Sequence, residues 1–155
     1  MSLQHEIIEF EEKQRSDVVH LWETCGLTRP WNDPDRDIDR VLQHEVGKLF
    51  ILKRNDSAND KVLGSVMVGY DGHRGSVYYL AVHPDFQKQD LGRMLMDHSE
   101  KYLRSLGCPK LNLNVRTTNL SVIEFYDRLG YQKDEVVTMS KRLITDEKQD
   151  QHRQQ

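Results

Sequence analysis

The sequence has few cysteines and no long apolar run. Its 155 residues include two cysteines, Cys25 and Cys108, which form no CxxC pair. This usage predicts reduced thiols rather than a disulfide or a thiolate metal site. The seven histidines show no metal-ligand spacing, so no bound metal is expected. No apolar run is long enough to cross a bilayer, so no contact with a membrane is expected.

The sequence also lacks a strong excess of charge of either sign. Lys and Arg total 22 against 25 for Asp and Glu, which gives a formal net charge of −3 without any basic block. A nucleic-acid surface is therefore not expected. The N-terminal residues lack the basic and apolar regions of a secretory signal, and we expect a cytoplasmic protein. What remains is a globular chain long enough for one core.

Hydrophobic periodicity predicts an α+β chain. Alternating apolar residues predict seven strands, at residues 6–10, 49–52, 62–70, 76–82, 111–115, 131–133 and 136–143. Helical spacing predicts four helices, which begin near Ser16, Asp33, Asp90 and Asn119. The order β-α-α-β-β-β-α-β-α-β-β predicts a mixed central sheet of about six to seven strands flanked by helices. Residues 1–145 should form a single domain, and residues 146–155 should form a disordered polar tail.

Two local patterns make these predictions more specific. Asp33 followed by Pro34 is typical of a helix start, with an N-cap and then proline at the first helical position. The helix that follows has an expected apolar stripe, formed by Ile38, Val41, Leu42 and Val46. The sequence DGHRG at residues 71–75 predicts a hairpin between two strands.

The segment from Tyr78 to Arg93, YYLAVHPDFQKQDLGR, has a composition suited to anion binding. An apolar strand ends at Val82, a polar turn follows, and a helix begins near Asp90. Such a junction directs several free backbone N–H groups to one point, and the helix dipole adds partial positive charge there. The segment therefore favours binding of a pyrophosphate.

The same segment resembles motif A of the GNAT family, the Gcn5-related N-acetyltransferases. That motif reads Leu-x-Val, then Gln or Arg, two residues, Gly, one residue, and Gly or Ala. Leu80, Val82, Gln87 and Gly92 match this pattern, whereas Asp90 stands where the family usually has its first glycine. A carboxylate at that position adds negative charge beside a pyrophosphate, unless it turns outward as a helix N-cap.

The resemblance continues through the rest of the chain. Three segments are similar to the family's motif B region, namely Asn114-Val115-Arg116 with Asn119, Phe125-Tyr126, and Leu129-Gly130-Tyr131. The segments RPWNDP at 29–34 and VGYDGHRGS at 68–76 further resemble a bacterial YpeA-like subgroup. The predicted order of strands and helices is also that of the GNAT fold, so the resemblance covers nearly the whole chain.

The resemblance implies an enzyme that uses acetyl-CoA as co-substrate. An acetyl group would pass to a primary amine of a small molecule or protein, by direct attack in a ternary complex, and a homodimer is common among similar proteins. The strand residues would pair through their backbone with the pantetheine arm. The implied cofactor-binding residues are Leu80, Ala81, Val82, Gln87, Lys88, Gln89, Asp90, Leu91, Gly92, Arg93, Asn119 and Tyr126.

The resemblance also implies a catalytic residue, Tyr126, whose phenol would protonate the departing thiolate of CoA. The alternative is a tyrosine packed on an amphipathic helix. Asn119 either contacts CoA or only caps its helix. The general base stays open, with Asp71, His73, Glu124 and Tyr79 as candidates that are each also compatible with a structural or solvated role.

The loop between the first two helices is expected to border the acceptor. In such a fold, Arg29 would bind a carboxylate of the substrate and Trp31 would form a wall, with Asp71 and Tyr79 as further substrate-binding candidates. The alternative is that Trp31 anchors the loop and Arg29 is a surface charge.

Two other functions compete with the enzyme. A non-catalytic module that binds or senses acyl-CoA is favoured by Asp90, which stands where the family usually has glycine, and by Asn114, which stands where some members have a glutamate. A structural or interaction protein of similar topology is the third possibility.

Overall fold

The structure is a computed structural model that describes residues 5–54 and 61–146. Its strands are β1 (His5–Glu9), β2 (Lys48–Arg54), β3 (Val62–Tyr70), β4 (Gly75–Val82) and β5 (Leu111–Asn112). Its α-helices are α1 (Arg15–Thr24), α2 (Pro34–Gln43), α3 (Leu91–Ser105) and α4 (Leu120–Arg128). The predicted turn at 55–60 and the tail at 147–155 lie outside the described residues.

The five strands form one mixed sheet with the order β1-β2-β3-β4-β5. The first four strands are antiparallel neighbours, and β5 returns parallel to β4 after the crossover through α3. Parallel pairing requires such a crossover, whereas the β3–β4 pair needs only the predicted hairpin. Its register runs from Tyr70↔Gly75 to Gly64↔Val82, which confirms the hairpin predicted at 71–75, although Gly75 already belongs to β4.

A separate hydrophobic core covers each face of the sheet. On one face, α1 and α2 contribute Val18, Trp22 and Ile38, all fully buried. On the other face, α3 and α4 contribute Leu95 and Tyr126, which pack with residues of β2 and β3. Helices on both sides of a mixed sheet confirm the predicted α+β class.

The predicted start of α2 is confirmed, but its apolar stripe is narrower than predicted. The Asp33 carboxylate accepts hydrogen bonds from the backbone N–H of Asp35 (2.9 Å) and of Arg36 (3.4 Å). Ile38 and Val41 are buried, whereas Leu42 is 47% exposed. Leu42 lies about 100° around the helix from Val41 and faces away from that contact.

The helix ends too early to include Val46 in its stripe. His44 takes an extended conformation, and its Nδ1 accepts the backbone N–H of Val46 (3.3 Å) and Gly47 (3.1 Å). This side-chain turn competes with helical hydrogen bonding and directs the chain into β2.

The C-terminal part of the sheet differs from the prediction. The strand predicted at 111–115 is limited to 111–112, and those predicted at 131–133 and 136–143 are not formed. The sheet of the described residues therefore has five strands rather than six to seven. Because β5 is only two residues long, it offers little strand edge for a further strand to pair with. Val137 and Met139, in the segment predicted to form the last strand, remain 86% and 89% exposed.

Asp146, the first residue of the predicted disordered tail, is held against the start of α2 by several contacts. Its side chain has no exposed surface and forms a bidentate ion pair with Arg40, at 2.6 and 3.0 Å. It also accepts the backbone N–H of Asp33 (3.1 Å) at the start of α2. A single ionic anchor leaves no hydrophobic pattern, so periodicity does not reveal it.

Across the described ranges, no helix combines the length and the apolar character that crossing a bilayer requires.

Candidate functional site

The segment between β4 and α3 is fixed by short-range hydrogen bonds. A 3-10 helix at Pro84–Phe86 follows the strand, and the Nδ1 atom of His83 accepts the backbone N–H of Asp85 (3.2 Å). The side-chain amide of Gln87 donates to the carbonyl of Val82 (3.0 Å). Gln87 thus ties the loop to the end of the strand and sets where α3 begins.

The start of α3 presents free backbone donors. The N–H groups of Leu91, Gly92 and Arg93 donate no hydrogen bond to the described part of the chain, and no side chain caps the helix. The preceding residues, Gln87 to Asp90, are exposed. Free donors and the positive end of a 15-residue helix favour an anion here.

Asp90 occupies the N-cap position of α3, but its side chain does not act as a cap. Its backbone is left-handed, with φ 61° and ψ 18°, and Lys88 also has a positive φ of 64°. Glycine adopts this region without steric cost, which explains the family's preference for glycine at this position. Asp is among the few other residues that tolerate it.

Gly92 allows close packing between α3 and α4. A Cβ atom at this position would lie 3.0 Å from Cζ and 3.2 Å from Cε2 of Phe125. The second small residue of motif A therefore brings motif A and the α4 helix of motif B into direct contact.

The edge of β4 is open beyond its first residues. β5 pairs with β4 only at Gly75 and Ser76, while β3 pairs with β4 as far as Val82. Within the described residues, the β4 edge from 77 to 82 thus has no neighbouring strand. An extended ligand can form backbone hydrogen bonds to such an edge.

A cavity of about 780 Å³ lies beside this open edge. It is bounded by the loop before α2, by α2, by β3 and β4, and by residues 114 and 116 after β5. Leu80 lines the cavity and also belongs to the part of β4 that leads to α3. The polar and aromatic side chains in its lining include Arg29, Trp31, Asp37, Asp71, Tyr78 and Tyr79.

Tyr79 has a strained backbone that its neighbours hold in place. Its φ is 53°, at an irregularity of the β3–β4 pairing, and its carbonyl accepts the Ser65 hydroxyl (2.8 Å). Its ring stacks on Trp22 at 3.8 Å, and Nε1 of Trp22 donates to the Ser65 oxygen (2.8 Å). A non-glycine residue keeps such a conformation only where packing enforces it, which is common at functional sites.

The hydroxyl of Tyr79 donates to Oδ2 of Asp37 at 2.5 Å. Burial, and then the Asp37 carboxylate, raise the pKa of Tyr79 well above its usual value. Tyr79 is therefore a neutral hydrogen-bond donor near neutral pH, which does not suit it to the role of general base.

The structure brings four predicted substrate residues together. Arg29, Trp31, Asp71 and Tyr79 all line the cavity. Trp31 is 42% exposed, so it does not anchor its loop in the core. Arg29 donates to the carbonyls of Gly26 (2.7 Å) and Thr28 (2.8 Å), which fixes the loop.

Of the other three candidates for the general base, two lie outside the lining of the cavity. The third, Asp71, is held by hydrogen bonds within its own turn. His73 and Glu124 are exposed and do not line the cavity. The Asp71 carboxylate accepts the backbone N–H of His73 (2.8 Å) and Arg74 (2.7 Å). These two hydrogen bonds lower its pKa, so Asp71 is a weaker base than an ordinary aspartate.

Tyr126 lies in the core on the other face of the sheet and does not line the cavity. It is 9% exposed, and its ring contacts Phe125 and Tyr131 edge to face. Burial raises the pKa of Tyr126 to about 12. This raised pKa keeps the phenol protonated near neutral pH, and its hydroxyl forms no hydrogen bond with a described residue, so it is free to donate.

Asn119 is at the N-cap position of α4, yet its side chain does not cap the helix. Its Oδ1 instead lies 3.4 Å from the hydroxyl of Ser121. The predicted side-chain cap is therefore wrong, because the backbone of Asn119, with ψ 72°, is not in the usual N-cap conformation.

Sequence reasoning missed other residues of the cavity. Asp37 and Arg40 belong to α2, where alternating charges are typical of a solvated helix face. Tyr78 is 54% exposed in β4, and no sequence pattern distinguishes it from the other residues of that strand. The only available signal was the pairing of Asp37 with Arg40 at helical spacing, which does not distinguish a site from a surface.

Comparisons with known proteins agree with this geometry. The profile described as "Acetyltransferase (GNAT) family" matches residues 15–131. Acetyltransferase YE1169 of Yersinia enterocolitica is 46% identical over 142 residues, which cover 92% of this chain and 98% of that protein.

Solved structures show the same fold at low sequence identity. The ribosomal-protein-S18-alanine N-acetyltransferase of Escherichia coli has a TM-score of 0.71 at 24% identity, over 84% of this chain and 79% of its own. AAC(6')-Iy, solved with the bisubstrate analog CoA-S-monomethyl-acetylneamine, has a TM-score of 0.72 at 15% identity, over 90% and 99%. From the profile match and the relative in Yersinia, the chain belongs to the GNAT family of acetyltransferases.

Proposed function

We propose that the protein transfers an acetyl group from acetyl-CoA to a primary amine by direct attack in a ternary complex. The observation that carries this proposal is the open edge of β4, which leads from the cavity at Leu80 to the free N–H groups of α3. One strand therefore connects an acceptor chamber with an anion site. Bound acetyl-CoA would supply an activated acetyl thioester. The protein would accelerate the reaction mainly by positioning the amine against this thioester.

The residues at the junction fit coenzyme A with one exception. The main chain of Leu80, Ala81 and Val82 would pair with the pantetheine arm along the open edge. The loop from Gln87 to Arg93 would hold the pyrophosphate through its backbone, and Asn119 would contact the cofactor from the start of α4. Asp90 is the exception, because its carboxylate adds negative charge beside a bound anion.

We propose that Tyr126 is the proton donor to the departing thiolate. Its pKa of about 12 keeps the phenol protonated at neutral pH, so the hydroxyl has a proton to give. Attack also requires a neutral amine, since a free amine is mostly protonated near pH 7.

The proposal also covers the class of acceptor, the oligomeric state and the cellular compartment. Structural neighbours include an aminoglycoside N-acetyltransferase and the ribosomal-protein-S18-alanine N-acetyltransferase, so we propose to test both small molecules and protein amines as acceptors. We propose the cytoplasm, because Cys25 and Cys108 are free thiols, and a homodimer on the family resemblance.

A thermal shift followed by a thiol-release assay tests the function. Saturating acetyl-CoA should raise the melting temperature, because a ligand that binds only the folded state stabilises it. A panel of spermidine, kanamycin, glucosamine 6-phosphate and a peptide with N-terminal alanine should then release CoA thiol. Stabilisation without release would favour the acyl-CoA sensor, and no stabilisation would favour the structural protein.

Replacing Asp90 should tighten the binding of acetyl-CoA. Asp90→Asn removes the charge but keeps a side chain that tolerates a positive φ, and we expect the Kd to fall about fivefold. Asp90→Gly should lower it further, because the backbone also loses its Cβ. Isothermal titration calorimetry measures both variants, with Asp97→Asn, an exposed position farther along α3, as the matched control. Equal affinities in all four proteins would show that Asp90 does not face the cofactor.

A further inference from the structure

The carboxylates of α2 fall into two rows with different surroundings. Asp35 and Asp39, four residues apart, face Arg15 of α1, at 3.4 and 2.7 Å. Asp33 and Asp37 form the other row, and of these Asp37 lines the cavity. The same helix therefore presents one row to a neighbouring helix and one residue to the cavity.

Asp37 is held rigidly while part of its hydrogen-bonding capacity remains unused. Oδ2 accepts the Tyr79 hydroxyl at 2.5 Å, and Oδ1 accepts Nη1 of Arg40 at 3.1 Å. The side chain is 21% exposed. A carboxylate has about four acceptor positions, so this residue can still bind a cation that enters the cavity.

Arg40 does not neutralise Asp37, because Asp146 also binds its guanidinium. Asp146 makes two short contacts to Arg40, at 2.6 and 3.0 Å, against a single contact of 3.1 Å from Asp37. Bidentate pairs are the stronger ones, and Asp146 is fully buried. Arg36 adds one contact to Asp146, at 3.5 Å. Asp37 therefore keeps much of its negative charge on the cavity side.

We propose that Asp37 binds the acceptor amine in its protonated, ammonium form, before that amine is deprotonated to the neutral form that attacks, and that Asp146 is a positioning residue that keeps Arg40 from neutralising Asp37. The proposal rests on the proposed function, and it assigns the acceptor to the class of cationic amines. Trp31 and Tyr78, both exposed in the cavity lining, are aromatic residues, and aromatic rings attract such a cation.

The other charged groups of the cavity are arranged differently. The Asp71 carboxylate is bound to its own turn, and the Arg29 guanidinium is bound to carbonyls of its own loop. Arg40, which Asp146 and Asp37 share, lines the cavity as well, together with Arg116 and His44. Asp37 is therefore the carboxylate of this cavity that packing and hydrogen bonds orient from two sides.

The test compares Asp37→Asn with Asp39→Asn. Both remove one carboxylate from the same helix, but Asp39 faces Arg15 and does not line the cavity. With the fastest amine among spermidine, kanamycin, glucosamine 6-phosphate and the alanine peptide, Asp37→Asn should raise the amine KM at least tenfold. The KM for acetyl-CoA should stay within twofold, and Asp39→Asn should leave the amine KM within twofold.

Asp146→Asn tests the positioning role. Arg40 would then turn fully to Asp37, and we expect the amine KM to rise about fivefold, with kcat and the KM for acetyl-CoA within twofold of the wild type. Asp146→Glu, which restores the charge, should recover most of the amine affinity. Loss in kcat and in both KM values together would show a merely structural role and overturn the assignment.

Failure of the inference can be separated from failure of the proposed function. If the wild type acetylates an amine and Asp37→Asn keeps its amine KM, the inference is wrong and the function stands. If the wild type acetylates none, calorimetry with the same four amines still compares the two proteins. Binding that is lost in Asp37→Asn supports the inference, and binding that is unchanged or absent in the wild type overturns it.

Discussion

Tyr126→Phe is expected to lower kcat about 100-fold while the Kd for acetyl-CoA changes less than twofold. The size follows from general acid catalysis, which contributes about 100-fold or more when a positioned proton donor is removed. The substitution deletes one oxygen and keeps the ring that packs against Phe125 and Tyr131. Because the Tyr126 hydroxyl has no hydrogen-bond partner among the described residues, its loss should not disturb the fold.

Tyr131→Phe is the matched control for this experiment. Its ring centroid lies 5.6 Å from that of Tyr126, and its hydroxyl donates to Glu100 at 3.0 Å. The control removes a phenol hydroxyl from the same cluster, yet it should retain kcat within about threefold, since only one partly buried hydrogen bond to Glu100 is lost. Steady-state kinetics and calorimetry measure both variants. Unchanged turnover in Tyr126→Phe would remove this residue from the mechanism.

Trp22→Ala is expected to lower the free energy of unfolding by about 4 kcal/mol, the usual cost of truncating a buried tryptophan. Trp22 has no exposed surface, stacks on Tyr79 and donates its N–H to Ser65. Its removal leaves a large void and a buried hydroxyl without its donor. It also removes the ring that holds Tyr79 in its left-handed conformation.

Two further variants separate these contributions to stability. Trp22→Phe keeps an aromatic ring but loses the hydrogen bond, and it should cost about 2 kcal/mol. Trp31→Ala, at a position 42% exposed, should cost less than about 1 kcal/mol. Urea unfolding followed by circular dichroism measures all three, because tryptophan fluorescence changes when one of only two tryptophans is removed. A cost below that of Trp31→Ala would contradict the role of Trp22 in the core.

The sequence predicts best where local chemistry and tertiary packing agree. Alternation at 62–70 predicts β3 with its observed bounds, and Asp33 with Pro34 predicts the observed start of α2. In both cases the preference of a few adjacent residues coincides with what the core requires. The left-handed residue Asp90 is likewise located through the motif, because the family pattern places glycine there.

The sequence predicts poorly where a contact joins distant parts of the chain. Residues 136–143 are rich in β-branched and apolar side chains, yet a strand also needs a neighbouring edge, and β5 stops at Asn112. The link between Asp146 and Arg40 spans 106 positions. No periodic pattern encodes such an ion pair, so the charge of the cavity at Asp37 follows only from the fold.

The exposed C-terminal stretch has a consequence for handling the protein. Lys141 and Arg142 lie in a segment without regular structure, which is the kind of backbone that trypsin-like proteases cut. Cleavage there would detach the peptide that carries Asp146, while every helix and strand described above stays in one piece. Clipped and intact molecules would then copurify as folded protein, and under the proposed role of Asp146 they would differ in the KM for the acceptor amine. Intact mass spectrometry of each preparation should therefore precede any comparison of kinetic constants between batches.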